Sequence, residues 1–559
     1  MSMATLTSIL PEIMLIVAGA AFYLGGVCGG RKIAWRWLAM GVVGLAALVL
    51  FKQSESLPAM PGVAFDELGR FGRWLALGAG FLLVLLGWRS PATTSPIEHA
   101  ESRRSNGDEA AEYFGTLLLC VAGLMFVATA SELTLLFVAL ELISIPTYVL
   151  LGFSQGATTR REAAAKYFFL SLLASAILLY GFSFLYGASG TTLVAALGEV
   201  WHDLRPPAAA MVIFSKLAAA LVFAGISFKL AAVPFHFYAP DVYQGTTYPN
   251  AALLSVLPKA AGLVVLVRLL SVILSSLEPR DWQLILLISL VTMTLGNLTA
   301  LWQDNLRRLL AYSAIAHAGY MLMAFAVGLV VNDGGPWDGL TALWYYLTVY
   351  ALATLGAFAA LEHFAAVRPP LENIKDLAGL GRERPFTAAM LAVCLFSLTG
   401  IPPLAGFWGK LLVFGGAINV DLSLAAGSAS RWFLIAAVIG VLNAAVAATY
   451  YLRITAAMYF RPSSQAVQAV EENWGPWWAV AASSVLLIIA GVYPGPLMHQ
   501  AAHAAQVSLA GRAGPENTID GLCRDKPQAE GGFSSVSTFP AWRAPAAVCG
   551  SGLSVSEVK

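Results

Sequence analysis

Long apolar runs recur along the whole chain and are separated by short polar stretches. A bilayer core about 30 Å thick is crossed by roughly 20 apolar residues of α-helix, and these runs have that length. They do not alternate between apolar and polar positions as the strands of a membrane barrel do. The pattern predicts fourteen transmembrane helices, called spans one to fourteen, near residues 9–28, 33–51, 71–88, 111–130, 132–152, 163–186, 208–234, 250–276, 280–302, 307–331, 336–361, 385–418, 432–460 and 474–497.

The composition supports a membrane protein and excludes several other classes. Of the 559 residues, 58% are apolar and 12% are charged, and the mean hydropathy is +0.72. Soluble domains are about a quarter charged, so this chain lacks the charge to coat a water-soluble surface. A soluble enzyme, a nucleic-acid-binding protein and a disordered scaffold are thereby excluded. Because 33 basic residues nearly balance 32 acidic ones, no net charge suggests a polyanionic partner.

The five cysteines carry no cofactor signature. None of them forms a Cys-x-x-Cys pair, which argues against iron–sulfur and zinc sites. Cys28, Cys120 and Cys394 lie in or beside apolar runs, as small buried hydrophobic residues do. Cys523 and Cys549 lie in a polar tail, and the sequence leaves open whether they pair.

The distribution of basic residues between the loops predicts the orientation in the membrane. Loops that follow odd-numbered spans hold most of the basic residues, among them Arg31, Lys32, Arg103, Arg104, Arg160, Arg161, Arg307, Arg308, Lys375, Arg382 and Arg384. The positive-inside rule places these loops in the cytoplasm and both termini in the periplasm. The first run has no basic segment before it and carries Glu12, so we expect a retained span and not a cleaved signal. The Ala- and Gly-rich composition suggests a bacterial inner membrane.

Two predicted spans are too long for the bilayer and contain prolines. Residues 208–245 would form a continuous helix about 57 Å long, nearly twice the hydrocarbon thickness. Proline lacks an amide donor and clashes with the preceding turn, so we expect breaks at Pro234 and, in span twelve, at Pro402 and Pro403. Broken helices in corresponding positions of two halves point to a transport site.

The spacing of the breaks predicts an internal repeat. Pro234 and Pro403 are 169 residues apart, as are Glu112 and Asp281 at the starts of spans four and nine. Spans four to eight and nine to thirteen would form two five-helix units, and the odd number inverts the second unit. The predicted fold is an all-α polytopic membrane protein with two inverted five-helix repeats, each containing a broken helix. Its divisions are an N-terminal three-helix segment with a cytoplasmic loop (1–110), the first repeat (111–279), the second repeat (280–460), the last span (461–510) and a polar, disordered tail (511–559).

Four charged side chains fall near the centres of predicted spans. A Lys, Arg or Asp at a helix centre costs about 2.5–3.5 kcal/mol on insertion scales. Glu141 is the tenth residue of span five, and Lys259 lies about ten residues into span eight. Lys229 precedes the first break, and Lys410 follows the second. We expect these four residues to carry the function, because packing alone does not explain charges at such positions.

Three further titratable residues have both a functional and a structural interpretation. His317 in span ten is either a titrating group or a hydrogen-bonded core residue. His236 beside the first break could instead donate to carbonyls that the break leaves free. Lys166 lies near the end of a span, where its side chain could reach the interface or form a structural pair.

The chemistry of these residues favours protons as the transported ion. A lysine held away from water loses affinity for its proton, and a nearby carboxylate restores that affinity. Moving a glutamate and a lysine together or apart therefore switches the lysine between holding and releasing a proton. The sequence shows no carboxylate-rich cage for Na⁺, although backbone carbonyls at helix breaks can bind a cation. A water-bridged chain of Glu, Lys and His across the membrane midplane is the predicted relay.

Four sequence segments carry a resemblance to a known family. They are VPFHFYAPDVYQG at 233–245, TMTLGNL at 292–298, LLAYSAIAHAGY at 309–320 and GIPPLAGFWGK at 400–410. Residues 9–500 resemble the membrane subunits of the proton-pumping NADH:quinone oxidoreductase, respiratory complex I. These subunits are related to those of the Mrp-type cation/proton antiporters.

The resemblance is to the N-type subunits in particular. Residues 241–243 read Asp-Val-Tyr, where the L, M and antiporter types have Asp-Ala-His. The Leu-Pro-Glu at 10–12 also resembles the N type, and Lys410 stands where the M type has Glu. No long lateral helix follows span fourteen, unlike in the L type. Lys166 matches a lysine of the family.

The resemblance implies a role for each central residue. Glu141 would pair with Lys229 and tune its proton affinity, and Lys259 would be the central relay. Lys410 would pass the proton toward the outer face, and His317 would lie on the connecting axis.

The resemblance also implies that this chain itself binds no cofactor and no metal. The sites for NADH, flavin, the iron–sulfur clusters and most of the quinone would belong to other subunits. The neighbours of this chain would be M-type and K-type membrane-arm subunits and, through them, the NADH-oxidising peripheral arm. The chain would then be part of an oxidoreductase that acts as a translocase.

Two other functions fit the same residues. A Mrp-type Na⁺/H⁺ antiporter subunit would share the fold, although the Asp-Val-Tyr at 241–243 argues against it. A structural scaffold of the membrane arm would use the charges only to tie helices together. A redox relative that accepts electrons from ferredoxin is a further alternative.

Overall fold

The structure, a computed structural model, is a bundle of α-helices. It describes residues 7–28, 35–53, 62–87, 108–152, 158–203, 209–270, 272–273, 282–331, 335, 337–368, 370–423, 429–462 and 474–510. All of them belong to one compact unit, residues 1–514. Within these ranges the chain forms no strand and only isolated β-bridges, such as that between Glu132 and Leu193.

Nineteen helices follow one another along the described ranges. They are α1 (Leu10–Cys28), α2 (Trp35–Lys52), α3 (Glu67–Leu86), α4 (Asp108–Thr129), α5 (Leu133–Gly152), α6 (Thr158–Ser189), α7 (Val194–Asp203), α8 (Ala209–Leu230), α9 (Tyr238–Gln244), α10 (Tyr248–Val265), α11 (Trp282–Leu301), α12 (Leu306–Val330), α13 (Gly339–Val367), α14 (Leu380–Glu383), α15 (Pro385–Thr399), α16 (Ala405–Ser423), α17 (Ala429–Phe460), α18 (Trp474–Val492) and α19 (Gly495–Ala510). One π-helical turn, Leu266–Leu270, continues α10.

Twelve of the described helices are long and apolar enough to cross a membrane. α1, α15 and α16 are apolar but shorter, and α15 and α16 are the two halves of predicted span twelve. The predicted all-α membrane fold is confirmed. The count of fourteen spans, the inverted repeats and the orientation stay predictions.

Polar side chains fix where several helices begin. Asp66 accepts a hydrogen bond from the Gly69 amide at the start of α3 (2.7 Å), and Asn305 accepts one from Arg308 at the start of α12 (3.1 Å). Asp338 accepts from the second and third amides of α13. Each cap satisfies an amide that has no partner inside its helix. The caps therefore define helix ends that the apolar pattern gives only to within several residues.

Three helices form the centre of the bundle. The apolar windows of α10, α12 and α13 are 94%, 89% and 83% buried, against 28% for α2 and 33% for α17. A helix that is apolar on every side and buried belongs to the interior of a large protein. The peripheral helices instead point large apolar side chains outward, such as Phe169 and Tyr180 of α6. The central helices are where a buried charge is held away from water and lipid.

The first predicted break is present. α8 ends at Leu230, and Ala231 adopts a left-handed conformation with φ of 55°. The amides of Ala231 and Ala232 bond back to the carbonyls of Phe228 (2.9 Å) and Ser227 (2.8 Å). This is the Schellman motif, which satisfies the last carbonyls of a helix and is usually built with glycine.

The second predicted break has the same local geometry. α15 ends at Thr399, and Gly400 has φ of 91°. The Gly400 and Ile401 amides bond to the carbonyls of Ser397 (3.0 Å) and Phe396 (3.1 Å). Both breaks therefore end a helix with a Schellman motif four residues before Pro234 and Pro403, respectively.

Two ion pairs that the apolar pattern does not predict attach α1 and α3. Glu12 of α1 and Arg73 of α3 lie 2.6 Å apart, with only 1% and 3% of their side chains exposed. Arg268, in the π-helical turn after α10, donates to both carboxylate oxygens of Asp66 (2.9 and 2.6 Å). Paired in this way, the charges tie α1 to α3 and α3 to the centre of the bundle.

The end of the last span differs from the prediction. Span fourteen was expected to run to residue 497, whereas α18 ends at Val492 and α19 begins at Gly495. Pro494 explains the interruption, because proline disfavours helical geometry in the residue before it and donates no amide hydrogen bond. Other predictions concern residues outside the described ranges, namely Arg31, Lys32, Arg103, Arg104, Cys523, Cys549 and the tail 511–559 as a whole.

Candidate functional site

Glu141 and Lys229 face the same part of the bundle but do not form an ion pair. Glu141, half-buried in the middle of α5, accepts a hydrogen bond from Ser175 of α6 at 2.5 Å. Lys229, buried in the last turn of α8, donates to Ser144 of α5 at 2.8 Å. Among the described residues, no contact within 4.0 Å joins the Glu141 carboxylate to the Lys229 ammonium group. Each charge is held by a serine.

The geometry of α5 places both partners side by side. Glu141 and Ser144 are three residues apart on one helix, so their side chains lie on one face. The Ser144 hydroxyl donates to the Leu140 carbonyl (2.9 Å) and accepts from Lys229.

Both lysines at the breaks lie against the ends of helices. Lys229 is in the last turn of α8. The Lys410 ammonium group donates to the carbonyl of Thr399, the last residue of α15, at 2.7 Å. The carbonyl end of a helix carries a partial negative charge, which favours a cation there. The breaks therefore supply helix ends that stabilise buried lysines without a carboxylate.

Lys259 lies at the centre of the bundle. Its side chain is 1% exposed on α10, and its ammonium group donates to the Ala314 carbonyl of α12 at 2.5 Å. The same nitrogen lies 5.9 Å from the centre of the Tyr350 ring. A carbonyl and the face of an aromatic ring can both stabilise a cation. Neither is a fixed negative charge.

His317 lies between two tyrosine hydroxyls. Its Nδ1 lies 2.8 Å from the hydroxyl of Tyr346 on α13, and its Nε2 lies 3.1 Å from that of Tyr451 on α17. The Tyr451 hydroxyl also contacts Ser313 Oγ. The imidazole thus connects three helices through groups that can each donate and accept a proton.

One face of α12 links Lys259 to Lys410. Ala314, His317 and Tyr320 follow one another at intervals of three residues, so they lie along one side of the helix. Lys259 contacts Ala314 at one end, and the Lys410 ammonium group lies 5.2 Å from the centre of the Tyr320 ring at the other. The His317 and Tyr320 rings are 5.9 Å apart. The two lysines are therefore joined by a continuous series of polar and aromatic groups.

A small cavity lies between Lys229 and α10. Its volume is about 10 Å³, and it is lined by Ser144, Tyr167, Lys229 and Pro258, among others. A space of that size is at the lower limit for one water molecule. Pro258 precedes Lys259 in the chain, so the cavity separates Lys229 from the turn that carries Lys259.

Lys166 lies outside this series. It pairs with Glu162 of its own helix (2.7 Å) and with Asp241 of α9 (3.2 Å), and 42% of its side chain is exposed. Asp241 also pairs with Arg308 at the start of α12 (2.7 Å). These residues form an ion-pair cluster at a partly exposed edge of the bundle.

His236 also lies apart from the lysines. It is half-buried in the first break, and its Nδ1 has no hydrogen-bond partner among the described residues. Pro234, Pro402 and Pro403 are exposed on the outside of the bundle. The proline segments therefore reach the bundle surface, while the lysines beside them point inward.

The sequence identified the charged residues of the site but not their neutral partners. Ser144, Ser175, Tyr346 and Tyr451 are common residues in membrane helices and have no sequence signal of their own. Their spacing on a predicted helix could have suggested only Ser144, which is three residues from Glu141. No group of three or more His, Cys, Asp or Glu that could hold a metal occurs within the described ranges.

The fold and the site define a class of protein. Broken membrane helices with buried charges at the breaks are typical of secondary transporters and their relatives. The model of one family, described as NADH:quinone oxidoreductase/Mrp antiporter, TM, matches residues 130–436.

Similar proteins agree with that family. The NADH-quinone oxidoreductase subunit N of Trichlorobacter lovleyi is 34% identical over 90% of this chain and 97% of its own length. Its namesake in Paramagnetospirillum magneticum is also 34% identical, over 90% of this chain and 98% of its own length. The chain therefore belongs to the NADH:quinone oxidoreductase/Mrp antiporter family, and its resemblance to the N-type subunits is confirmed.

Solved structures show the same fold. A chain of respiratory complex I from Thermus thermophilus, solved with bound aureothin, is 31% identical and aligns with a TM-score of 0.69 over 88% of this chain and 99% of its own. A chain of the Mrp complex from Dietzia sp. DQ12-45-1b aligns with a TM-score of 0.73 over 92% of this chain and 100% of its own. At 19% identity, the second similarity shows the fold alone.

Proposed function

We propose that this chain is the N-type membrane-arm subunit of an NADH:quinone oxidoreductase and that it moves protons across the membrane through Glu141, Lys229, Lys259, His317 and Lys410. One observation carries this proposal. Three lysines are buried in the bundle, and each donates to a hydroxyl or a carbonyl and not to a carboxylate. Structural lysines at membrane depth are normally paired, whereas proton-relay groups must be able to lose their charge.

The first step of the proposed path is a switch at Glu141. When the carboxylate is held by Ser175 and Lys229 by Ser144, the two charges are separated, as observed. When Lys229 turns to Glu141, the carboxylate stabilises the ammonium group and the lysine holds its proton. Returning Lys229 to Ser144 removes that stabilisation and favours release of the proton through the small cavity toward Lys259.

The second step runs along α12. Lys259 passes a proton to the His317 region, where the imidazole and the hydroxyls of Tyr346 and Tyr451 relay it. Lys410 receives it at the other end and delivers it toward the outer face. Because Lys259 contacts a carbonyl of α12 one turn before His317, the transfer needs only side-chain motion and bridging water.

Lys166 and His236 belong to the entrance of the proposed path. Lys166 lies in the cluster with Asp241 and Arg308, on the side that the basic loops assign to the cytoplasm. A partly exposed group of this kind can exchange protons with water. His236 lies in the break between that cluster and Lys229 and has an unpartnered Nδ1.

The proposed assembly is supported by the relatives' names and by the distribution of basic residues between the loops. This chain would be a multi-pass protein of the bacterial inner membrane with both termini in the periplasm. NADH oxidation, flavin, iron–sulfur clusters and quinone reduction would belong to the partner subunits, including M-type and K-type neighbours. The chain itself would contribute proton translocation and no redox centre.

The test begins with the intact complex purified through a tag on this chain. We expect NADH:quinone reductase activity and, after reconstitution into vesicles, proton uptake driven by NADH. Lys410→Ala should lower the uptake per NADH oxidised, whereas the control Lys375→Ala, in a short 3-10 helix between α13 and α14, should leave it unchanged. An assembly that exchanges Na⁺ for protons without a redox centre would instead identify an antiporter subunit. Normal uptake with less assembled Lys410→Ala complex would identify a structural scaffold.

A further inference from the structure

A large crevice lies along the face of α13 that carries Ala351 and Leu355, and not along the face that presents Tyr346 to His317 and Tyr350 to Lys259. Its volume is about 800 Å³, and α2, α3, α13, α18 and α19 line it. Clefts that bind small molecules have volumes of about 300–1,000 Å³. None of the residues of the proposed proton path lines this crevice.

The crevice is polar at one end and apolar along the rest of its length. The end of α2 and the start of α3 contribute Gln53, Glu67 and Arg70, and α19 contributes Gln500 and His503. Gln53, Glu67 and Arg70 lie at the ends of α2 and α3 that the basic-loop pattern assigns to the periplasmic side, and α19 follows the end of the last span, which the pattern assigns to the same side. The deeper lining from α3 and α13 consists of leucine, alanine, glycine and aromatic side chains, apart from Thr348.

The length of the crevice matches one leaflet of a bilayer. On α3 the lining extends from Glu67 to Leu82, a rise of about 22 Å at 1.5 Å per residue. Half of a hydrocarbon core is about 15 Å deep, and the headgroup region lies beyond it. Trp74 lines the crevice about two turns below Glu67, at the level where indole rings favour the membrane interface.

The polar end presents two opposite charges side by side. Glu67 and Arg70 are 3.0 Å apart and remain 37% and 43% exposed. An arginine binds a phosphate group, and an exposed carboxylate binds an ammonium group. A headgroup that contains both, as phosphatidylethanolamine does, complements this pair.

The apolar part of the crevice suits acyl chains. These chains are flexible and can follow a channel between packed helices, here past leucine and alanine side chains of α3 and α13.

We propose that the crevice between α2, α3, α13 and α19 is a binding site for one phosphatidylethanolamine molecule of the periplasmic leaflet, with its phosphate on Arg70 and its amine on Glu67. The acyl chains extend along α3 past Gly78 to Leu82. This site is independent of the proton path, and the lipid fills space between the N-terminal three helices and the centre of the bundle.

Gly78 provides a direct way to fill the crevice. A Cβ atom added there meets nothing within 4 Å, and Gly78 lines the crevice. Gly41 of α2 is equally open but does not line it, which makes Gly41→Leu the matched control for Gly78→Leu.

The test measures phospholipid retained by the detergent-washed complex, by native mass spectrometry and lipid extraction. We expect the wild type and Gly41→Leu to retain one phosphatidylethanolamine per chain that Gly78→Leu loses. Arg70→Gln, at the exposed end of the crevice, should weaken retention of the lipid severalfold. This second variant tests the proposal even if the Gly78→Leu complex does not assemble. Adding back phosphatidylethanolamine, but not phosphatidylglycerol, should restore the bound lipid in the delipidated wild type. Equal lipid retention in all variants, or equal rebinding of both lipids, would overturn the proposal.

Discussion

The two halves of the proposed path stabilise their lysines in different ways. The carboxylate of Glu141 lies on the same helix as Ser144, the residue to which Lys229 donates a hydrogen bond. At Lys259 and Lys410 the structure shows only carbonyls, hydroxyls and aromatic rings, and within the described residues neither lysine has an ion pair. The first half therefore contains a charge that can be switched, and the second half a series of neutral groups.

From this difference we infer that the first half of the proposed path controls proton movement and that the second half conducts the protons. A glutamate that changes partner can alter the proton affinity of its neighbour, so the first half is suited to gating. Neutral groups have no fixed charge to trap a proton, so the second half is suited to passing it on. The comparison predicts that variants of the two halves differ in how strongly they affect pumping.

The largest effect is expected for Lys259→Met. Methionine retains much of the side-chain volume but cannot carry a proton, and Lys259 joins the two halves. Proton uptake per NADH oxidised should fall by about 10-fold or more. The measurement is the acidification of inverted vesicles, corrected for the amount of assembled complex. Unchanged uptake would show that protons bypass the centre of the bundle.

A smaller loss is expected for Glu141→Gln. Glutamine can still accept the hydrogen bond from Ser175 but cannot stabilise the Lys229 ammonium group by charge. Pumping should fall severalfold while the complex assembles normally. Glu162→Gln is the control, because Glu162 is an exposed partner of Lys166. Equal effects of the two substitutions on pumping would contradict a specific role for Glu141.

Ser175→Ala should lower pumping less than Glu141→Gln does and more than Tyr346→Phe does. Removing a hydrogen bond to a charged group costs about 1.5–3 kcal/mol, which would shift Glu141 toward Lys229. We expect slower pumping with an altered pH profile, and recovery in Ser175→Thr, which restores the hydroxyl. Ser189→Ala is the control, since Ser189 bonds only to backbone groups near the end of α6, two carbonyls and the Thr191 amide. A pH profile identical to the wild type would indicate a purely structural role for Ser175.

The smallest effect is expected for Tyr346→Phe. His317 loses one hydroxyl neighbour but keeps that of Tyr451. Pumping should fall by about twofold, because a neighbouring water can replace one hydroxyl in the series. A loss as large as that of Lys259→Met would mean that Tyr346 itself carries the proton.

The sequence predicted the fold class and the breaks because both depend on local features, apolar runs and prolines, that can be recognised without knowing how the helices pack. Apolar runs reveal membrane helices because the bilayer fixes their length. Pro234, Pro402 and Pro403 marked the breaks because proline removes a backbone donor and clashes with the preceding turn, although α5 and α10 continue through Pro146 and Pro258. The Schellman motif at Ala231 was not predictable, since alanine carries no preference for the left-handed conformation that glycine has at Gly400.

The site was predictable only in its charged members. Charges inside apolar runs stand out, which identified Glu141 and the lysines. The serines and tyrosines became visible only when α5, α6, α12 and α17 were packed together. Arg73 was overlooked because a single arginine near the start of span three resembles an interfacial residue, whereas its partner Glu12 is in a different helix. Pairing between helices is a property of the packing and not of a local pattern.

The most direct test of the central claim is the ratio of protons pumped to NADH oxidised by the assembled Lys229→Ala complex in vesicles. Lys229 is the residue that the proposed switch acts on, and alanine can neither hold a proton nor bind Glu141. A sharply lowered ratio, with normal assembly and electron transfer through the partner subunits, is the predicted result. A wild-type ratio in that complex would contradict the proposed relay.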